Sequence, residues 1–334
     1  MNLHELEKRN KVLERRWKIM LILAIVFLVT RPVALFIVNK FIHDAAKSAV
    51  DNEYPHIDPA RKFIPQSDYI VNIVSLRKQL IEIGNRYPDQ VSIYYEQLNS
   101  GANINVNRDL HFYPASLNKL AQAIIAVDKI ADGEWTWQTK FTIAQDDLDP
   151  NSGNLYKTAK AGDSITVDKI LENLLIDSDN TAQNVLRKNI PLDDYNELQL
   201  EVGLEDLFDE KGEITTKEYS RMLRTLYTAS YLDREYSEKI LQLMAKASFH
   251  DYLSQGLPDS IQFAHKYGEN KAQSIFSDSG IVYTPGKPYM ITVMIKGKDS
   301  SDETRKWAVD IMKEISQKAY EAGKEKLGLK ATMK

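Results

Sequence analysis

The chain has 334 residues, 43% hydrophobic and 27% charged, with 43 Lys and Arg against 47 Asp and Glu for a net charge of −4. That is globular composition, long enough for a sizeable core, and the near balance of charge offers no basic surface to a phosphate backbone, which excludes nucleic acid as a partner. With no cysteine, thiol catalysis, disulfides and thiolate-held zinc are excluded; the six histidines (His4, His43, His56, His111, His250, His265) form no H-E-x-x-H pair, so no metal or other cofactor is expected.

The first elements concern export. Lys8, Arg9, Lys11, Arg15, Arg16 and Lys18 make residues 1–18 a basic leader, and the apolar stretch 19–38 has about the ~20 residues needed to cross a hydrocarbon core. Basic flanks stay in the cytoplasm, so the stretch reads as a single-pass transmembrane anchor with the remainder extracytoplasmic. Arg31 and Pro32 interrupt it. The uninterrupted part from Ile19 to Val29 also has the length of a signal-peptide core, with Ala45, Ala46 and Ala49 as a cleavage region, in which case the remainder is secreted. Residues 39–67, carrying Pro55, Pro59 and Pro65, read as an extended linker, and the folded domain is expected over 68–334.

Within that domain, Ile70, Ile73, Val74, Leu80 and Ile81 recur at near-helical spacing. Val91, Ile93 and Tyr95 then alternate as a strand, Asn99-Ser-Gly-Ala102 is turn chemistry, and Ile104 and Val106 resume the alternation, predicting a hairpin. From Ser116, the residues Leu117, Leu120, Ala121 and Ile124 mark a helix face. The stretch 132–243 reads as a mostly helical lobe; its clearest helix carries Val167, Ile170, Leu171, Leu174 and Leu175 and ends at Ser178-Asp179-Asn180. Three strands follow, Ile261 to Tyr267, Ile275 to Tyr283 and Tyr289 to Ile295. A last helix is expected from the capping-box pattern Ser300-Ser-Asp-Glu303, burying Trp307, Ala308, Ile311, Met312 and Ile315. This order implies an α/β sandwich whose sheet is built from both ends of the domain, with an inserted helical lobe and a site in the cleft between them.

Three short constellations carry chemistry. Ser116-Leu-Asn-Lys119 sets a hydroxyl and an amine three residues apart at a helix start, a nucleophile beside a base once the amine's pKa is lowered. Ser178-Asp-Asn180 supplies a hydroxyl able to relay a proton and an amide able to bind a carbonyl. His265-Lys-Tyr-Gly268 places a second cation on a strand, with a glycine that permits close approach to its backbone. Each pattern is common by itself, as a capped helix, a helix end or an edge strand; their conjunction in this order and these contexts is specific.

S-x-x-K, S-D-N and K-T-G in that order are the signature of class A β-lactamases and penicillin-binding proteins. The chain resembles that superfamily over about Asp68 to Gly323, in Phe112-Tyr-Pro-Ala-Ser-Leu-Asn-Lys-Leu120, in Gly162 to Ala182, and in the paired segments Phe263 to Gly268 and Ser277 to Tyr283. The resemblance implies a three-layer αβα sandwich with an antiparallel sheet. It also implies Ser116 as nucleophile, Lys119 as its base, Ser178 as proton relay, Asn180 holding a substrate amide, and Lys266 facing a substrate carboxylate. Tyr267, Gly268 and Glu269 would complete the substrate-binding strand, with the backbone N–H groups of Ser116 and Glu269 as the oxyanion hole.

Two departures stand out. Tyr267 takes the place of a small hydroxyl residue in the third motif, which displaces or removes a carboxylate contact. The interval from Asn180 to Thr215-Thr216 is shorter than the family's by about a dozen residues, so the Ω-loop glutamate that activates the deacylating water is missing. Glu205, Asp206, Asp209, Glu210 and Glu213 lie nearby without its sequence context and read as solvated loop residues. The expectation is a membrane-tethered active-site-serine hydrolase of class A β-lactamase type, acylated on Ser116 by a β-lactam or related amide. The alternatives are a peptidoglycan D,D-peptidase or transpeptidase, and a penicillin sensor without turnover. A Ser-His-Asp hydrolase is rejected, since no serine sits in a G-x-S-x-G elbow.

Overall fold

The computed structural model describes residues 73–204 and 210–324, together with 55–57 and scattered positions between 17 and 40. The chain divides into a unit Met1–Glu53 and a unit Tyr54–Lys334, and every element named here belongs to the second. Most of the apolar stretch 19–38 lies outside the described residues, and among those described no helix is long and apolar enough to cross a membrane.

Helix α1 (Val74–Arg86) leads into β1 (Val91–Gln97) and β2 (Asn103–Val106), the expected helix and hairpin. After a 3-10 turn at Ala115–Asn118 comes α2 (Lys119–Ala131). The lobe that follows contains α3 (Leu155–Thr158), α4 (Val167–Ile176), α5 (Asn180–Asn189), α6 (Leu192–Val202), α7 (Thr216–Thr228) and α8 (Arg234–Met244). It also holds a small hairpin, β3 (Lys140–Thr142) with β4 (Ser164–Thr166), which strands of three residues are too short to announce by alternation. The chain then returns to the sheet with β5 (Phe263–Asn270), β6 (Ile275–Val282) and β7 (Tyr289–Lys296), and closes with α9 (Asp302–Lys324). The cap of α9 falls one residue later than expected: the Ser301 hydroxyl accepts the Thr304 N–H at 3.2 Å.

The five-stranded sheet runs β2-β1-β7-β6-β5, antiparallel throughout, so strands from both ends of the domain interleave as the element order implied. Alternation along β7 divides the core in two. Met290 and Met294 face the helical lobe with Ala264, Ile281, Leu120 and Ile124, whereas Ile291, Val293 and Ile295 face Leu76, Leu80, Ile311 and Ile315 of α1 and α9. Sheet between helices on one side and lobe on the other is the three-layer sandwich of the expectation. Helix α4 forms where the apolar repeat placed it, with the Thr166 hydroxyl accepting the Lys169 N–H at 3.3 Å and Val167, Ile170, Leu171, Leu174 and Leu175 all buried.

Residues 55–57, read as part of the linker, pack against the domain, where His56 and Ile57 are buried. The His56 backbone N–H donates to Glu238 Oε2 at 2.8 Å and its ring Nδ1 meets Glu238 Oε1, while the Tyr283 hydroxyl donates to the His56 carbonyl at 2.8 Å. Glu238→Ala is expected to lower stability by about 3 kcal/mol, as removing one partner of a buried pair does. Thermal unfolding measures it, and a change well below about 1 kcal/mol would mean that the segment contributes nothing.

Candidate active site

The nucleophile segment is built by a backbone irregularity. Ala115 takes a positive φ of 49°, unusual for a residue with a Cβ, and the chain turns there into the 3-10 segment that carries Ser116. Ser116 is half-buried and lines a cleft of about 940 Å³, together with Ser152, Asn180, Phe249, Tyr267 and Arg305. Below the Ser116 turn runs α2, whose first residue is Lys119, fully buried.

Lys119 reaches across to the second motif. Its ammonium donates to the Ser178 carbonyl at 2.5 Å, to Asn180 Oδ1 at 2.8 Å and to Ser178 Oγ at 3.2 Å. Among the described residues the Lys119 N–H donates to the Ser116 carbonyl, and no side-chain hydrogen bond joins Ser116 Oγ to the Lys119 amine. Ser116 lies in the 3-10 turn, one structural unit before the α-helix, and the three oxygen acceptors of the Ser178-Asn180 loop hold the amine. Such contacts tighten when a substrate fills the cleft.

Ser178 itself adopts φ 55° and is fully buried. Asp179 supports this bend as the cap of α5: one carboxylate oxygen accepts the Ala182 N–H at 2.9 Å and the other the Leu155 N–H at 2.8 Å. Gly153 completes the support, because a Cβ there would lie 2.0 Å from the Asp179 carboxylate, at a φ of +83° that side chains avoid. The loop around Gly153 also closes on the motif, with Ser152 Oγ donating to the Ser178 carbonyl at 2.8 Å and the Asn180 N–H donating to the Ser152 carbonyl at 3.0 Å. The turn chemistry of Asn151-Ser-Gly-Asn154 was the only trace of this loop in the sequence.

The third motif lies on β5. Lys266 is 1% exposed and donates to Ser178 Oγ at 2.8 Å and to the Tyr267 carbonyl at 3.0 Å, so both buried lysines converge on one hydroxyl. Burial lowers the Lys119 pKa to about 7 against the opposing pull of Asp179 and Asp149. Burial, reinforced by the nearby Lys119 charge, pushes Lys266 well below the ordinary lysine range. With its pKa near 7, Lys119 is available in its neutral form to accept a proton at neutral pH.

Gly268 brings two backbones together. A Cβ on it would come within 2.7 Å of the Pro114 carbonyl and 3.1 Å of Leu117 Cγ, so its bare backbone lets β5 press against the Ser116 turn. Gly268→Ala is expected to separate the two and slow acylation of Ser116 by about 10- to 100-fold, the scale of an ångström-level misplacement. Stopped-flow or mass-spectrometric acylation rates check this.

The Glu269 side chain accepts from the Tyr252 hydroxyl at 2.6 Å and from Arg305 Nε at 3.2 Å. Arg305, which also donates to Asp251 at 2.8 Å, escaped sequence reading because only the packing of α9 brings it to the cleft, and Phe249 escaped it for want of any local pattern. Of the five loop carboxylates, Glu205, Asp206 and Asp209 lie outside the described residues; Glu210 is exposed, and neither it nor Glu213 lines the cleft.

Solved structures share this architecture. PBP-A superposes with a TM-score of 0.67 at 23% identity, over 78% of this chain and 98% of that one. A mutant of PBP-A, in an acyl-enzyme complex with penicillin G, matches with the same TM-score and identity over 75% of this chain and 96% of that one. A beta-lactamase from Sphaerobacter thermophilus gives a TM-score of 0.64 at 19% identity, over 72% of this chain and 95% of that one. At these identities the likeness establishes the fold. The family assignment rests on sequence: residues 75–322 match the model of the beta-lactamase enzyme family, and the chain, with its serine and buried lysines in that fold, belongs to this family.

Proposed function

We propose that the protein is an acyl-serine hydrolase that takes β-lactams or related amides, with Ser116 as nucleophile and neutral Lys119 as base. The observation that carries this reading is the buried ammonium of Lys119, held by Ser178 and Asn180 with its pKa brought to about 7, one helical turn from a cleft-lining serine. Ser116 Oγ bonds to the acyl carbon as the C–N bond breaks, and its proton passes by Lys119 and Ser178 Oγ to the leaving nitrogen. The N–H groups of Ser116 and Glu269 are assigned to the developing oxyanion, since Gly268 keeps the two backbones in contact range. Asn180 offers its side-chain amide to the acyl group.

A second reading, a peptidoglycan D,D-peptidase or transpeptidase of penicillin-binding type, is favoured by the missing Ω-loop glutamate. Such an enzyme passes its acyl group onward without that carboxylate. The basic leader and apolar stretch 19–38 support a tether that holds the domain outside the cytoplasmic membrane, where that substrate lies.

The test is an intact-mass time course of the full-length chain with benzylpenicillin, followed by peptide mapping. A gain of one penicillin mass on Ser116 is expected; transient occupancy with accumulating hydrolysed penicillin identifies a β-lactamase, and a lasting adduct the penicillin-binding reading. Absence of any adduct, or its placement on another residue, overturns both.

A further inference from the structure

The cation that the third motif contributes is closed off from the cleft by its own neighbour. Lys266 is buried, both hydrogen bonds of its ammonium go to protein oxygens, and the ammonium lies 4.4 Å from the centroid of the Tyr267 ring. It is Tyr267, not Lys266, that lines the cleft.

The Tyr267 ring has little freedom to leave. It stacks on Phe249 with centroids 3.7 Å apart and an interplanar angle of 11°. Phe249 is braced edge-on by Tyr252 at 4.9 Å, and Tyr252 is fixed in turn by Glu269. The remaining basic groups of the cleft do not replace Lys266. Arg305 is matched by Glu269 and Asp251, and the exposed Lys271 shares the cleft with the carboxylates of Glu269 and Asp302. What the cleft presents beside Ser178 is therefore an aromatic face, on which an uncharged group packs well and a carboxylate loses hydration without gaining a partner.

We infer that Tyr267 is the specificity-determining residue of this site, closing the cationic subsite so that acyl donors uncharged on the leaving side are preferred to those carrying a carboxylate there. The inference rests on the acyl-serine function proposed above.

The experiment compares benzylpenicillin with the methyl ester of its carboxylate, measuring second-order acylation of Ser116 in the full-length chain by intact mass. In both donors Ser116 Oγ bonds to the lactam carbon, the lactam C–N bond breaks and the nitrogen receives the serine's proton, so the ratio of rates isolates the carboxylate. In the wild type the ester is expected to react at least as fast as the acid. Tyr267→Thr is expected to move the ratio toward the acid by about tenfold or more, the worth of one charge-assisted hydrogen bond, while Tyr267→Phe, which keeps the ring, retains the wild-type preference. A wild type that prefers the acid by tenfold overturns the inference, as does an unchanged ratio in Tyr267→Thr with native circular dichroism; if that variant does not fold, the wild-type ratio decides. If neither donor modifies wild-type Ser116, the acyl-serine function itself falls and the inference with it, an outcome distinct from acylation without the predicted selectivity.

Discussion

Lys119→Met is expected to slow acylation of Ser116 by about 10²- to 10⁴-fold, the usual contribution of a positioned general base, and Ser116→Ala to abolish the adduct. The size follows from placement. Lys119 is fully buried, and its ammonium has Ser178 and Asn180 oxygens for partners, which holds it beside the Ser116 turn as the positioned base. The pH profile separates a base from a structural cation. Because the Lys119 pKa is lowered to about 7, the acylation rate should rise with pH through about 7 and then level off, whereas Lys119→Met should lose that rise along with the rate. Stability carries the same signature. The folded-state pKa lies below the unfolded one, so between about pH 7 and the ordinary lysine range the unfolded chain binds more protons, and stability rises with pH across that window. Lys266, displaced in the same direction, adds to the rise. Unfolding of Lys119→Met across the window should therefore show a flatter dependence than the wild type.

Asp179→Ala is expected to destabilise the domain by about 2 to 4 kcal/mol, combining a lost helix cap with a buried N–H left without its acceptor. The cap is that of α5, given by the Ala182 N–H on one oxygen; the stranded donor is the Leu155 N–H on the other. The change also reaches the chemistry. Asp179 holds the Lys119 pKa up against desolvation, so its removal should lower that pKa further and move the midpoint of the acylation profile below about 7. Asp179→Asn keeps one carbonyl oxygen for the cap and loses the charge, so it should show the pH displacement with a smaller loss of stability. Chemical unfolding together with acylation from pH 5 to 9 tests both; an unshifted profile in Asp179→Asn would remove Asp179 from the electrostatics of the site.

The elements were legible wherever burial imposes a period. Helix α4 shows this through its repeat from Val167 to Leu175, and so do the strands with Val91, Ile93 and Tyr95 or Ile291, Val293 and Ile295, because a helix or strand with one face in a core must place apolar residues at its own spacing. The three motifs were legible for a similar reason: Ser116, Ser178 and Lys266 each keep a neighbour at fixed local spacing, and their order along the chain survives whatever the fold does. Where α9 is capped, how β3 meets β4 and whether 55–57 docks depend on single hydrogen bonds or on a few residues, too little signal for a pattern to show.

The amino-acid sequence by itself determined the sandwich with its helical lobe, and the serine and the two lysines of the site. Only the tertiary structure decided which groups those side chains meet. Lys119 bonds across 59 residues to Ser178, Lys266 across 88 to the same hydroxyl, and Tyr267 lies over the lysine beside it with its ring on Phe249. Composition and spacing state which charges and rings a chain owns; the shared burial that makes two lysines compete for protons, and one tyrosine cover a cation, exists only once distant segments exclude water together.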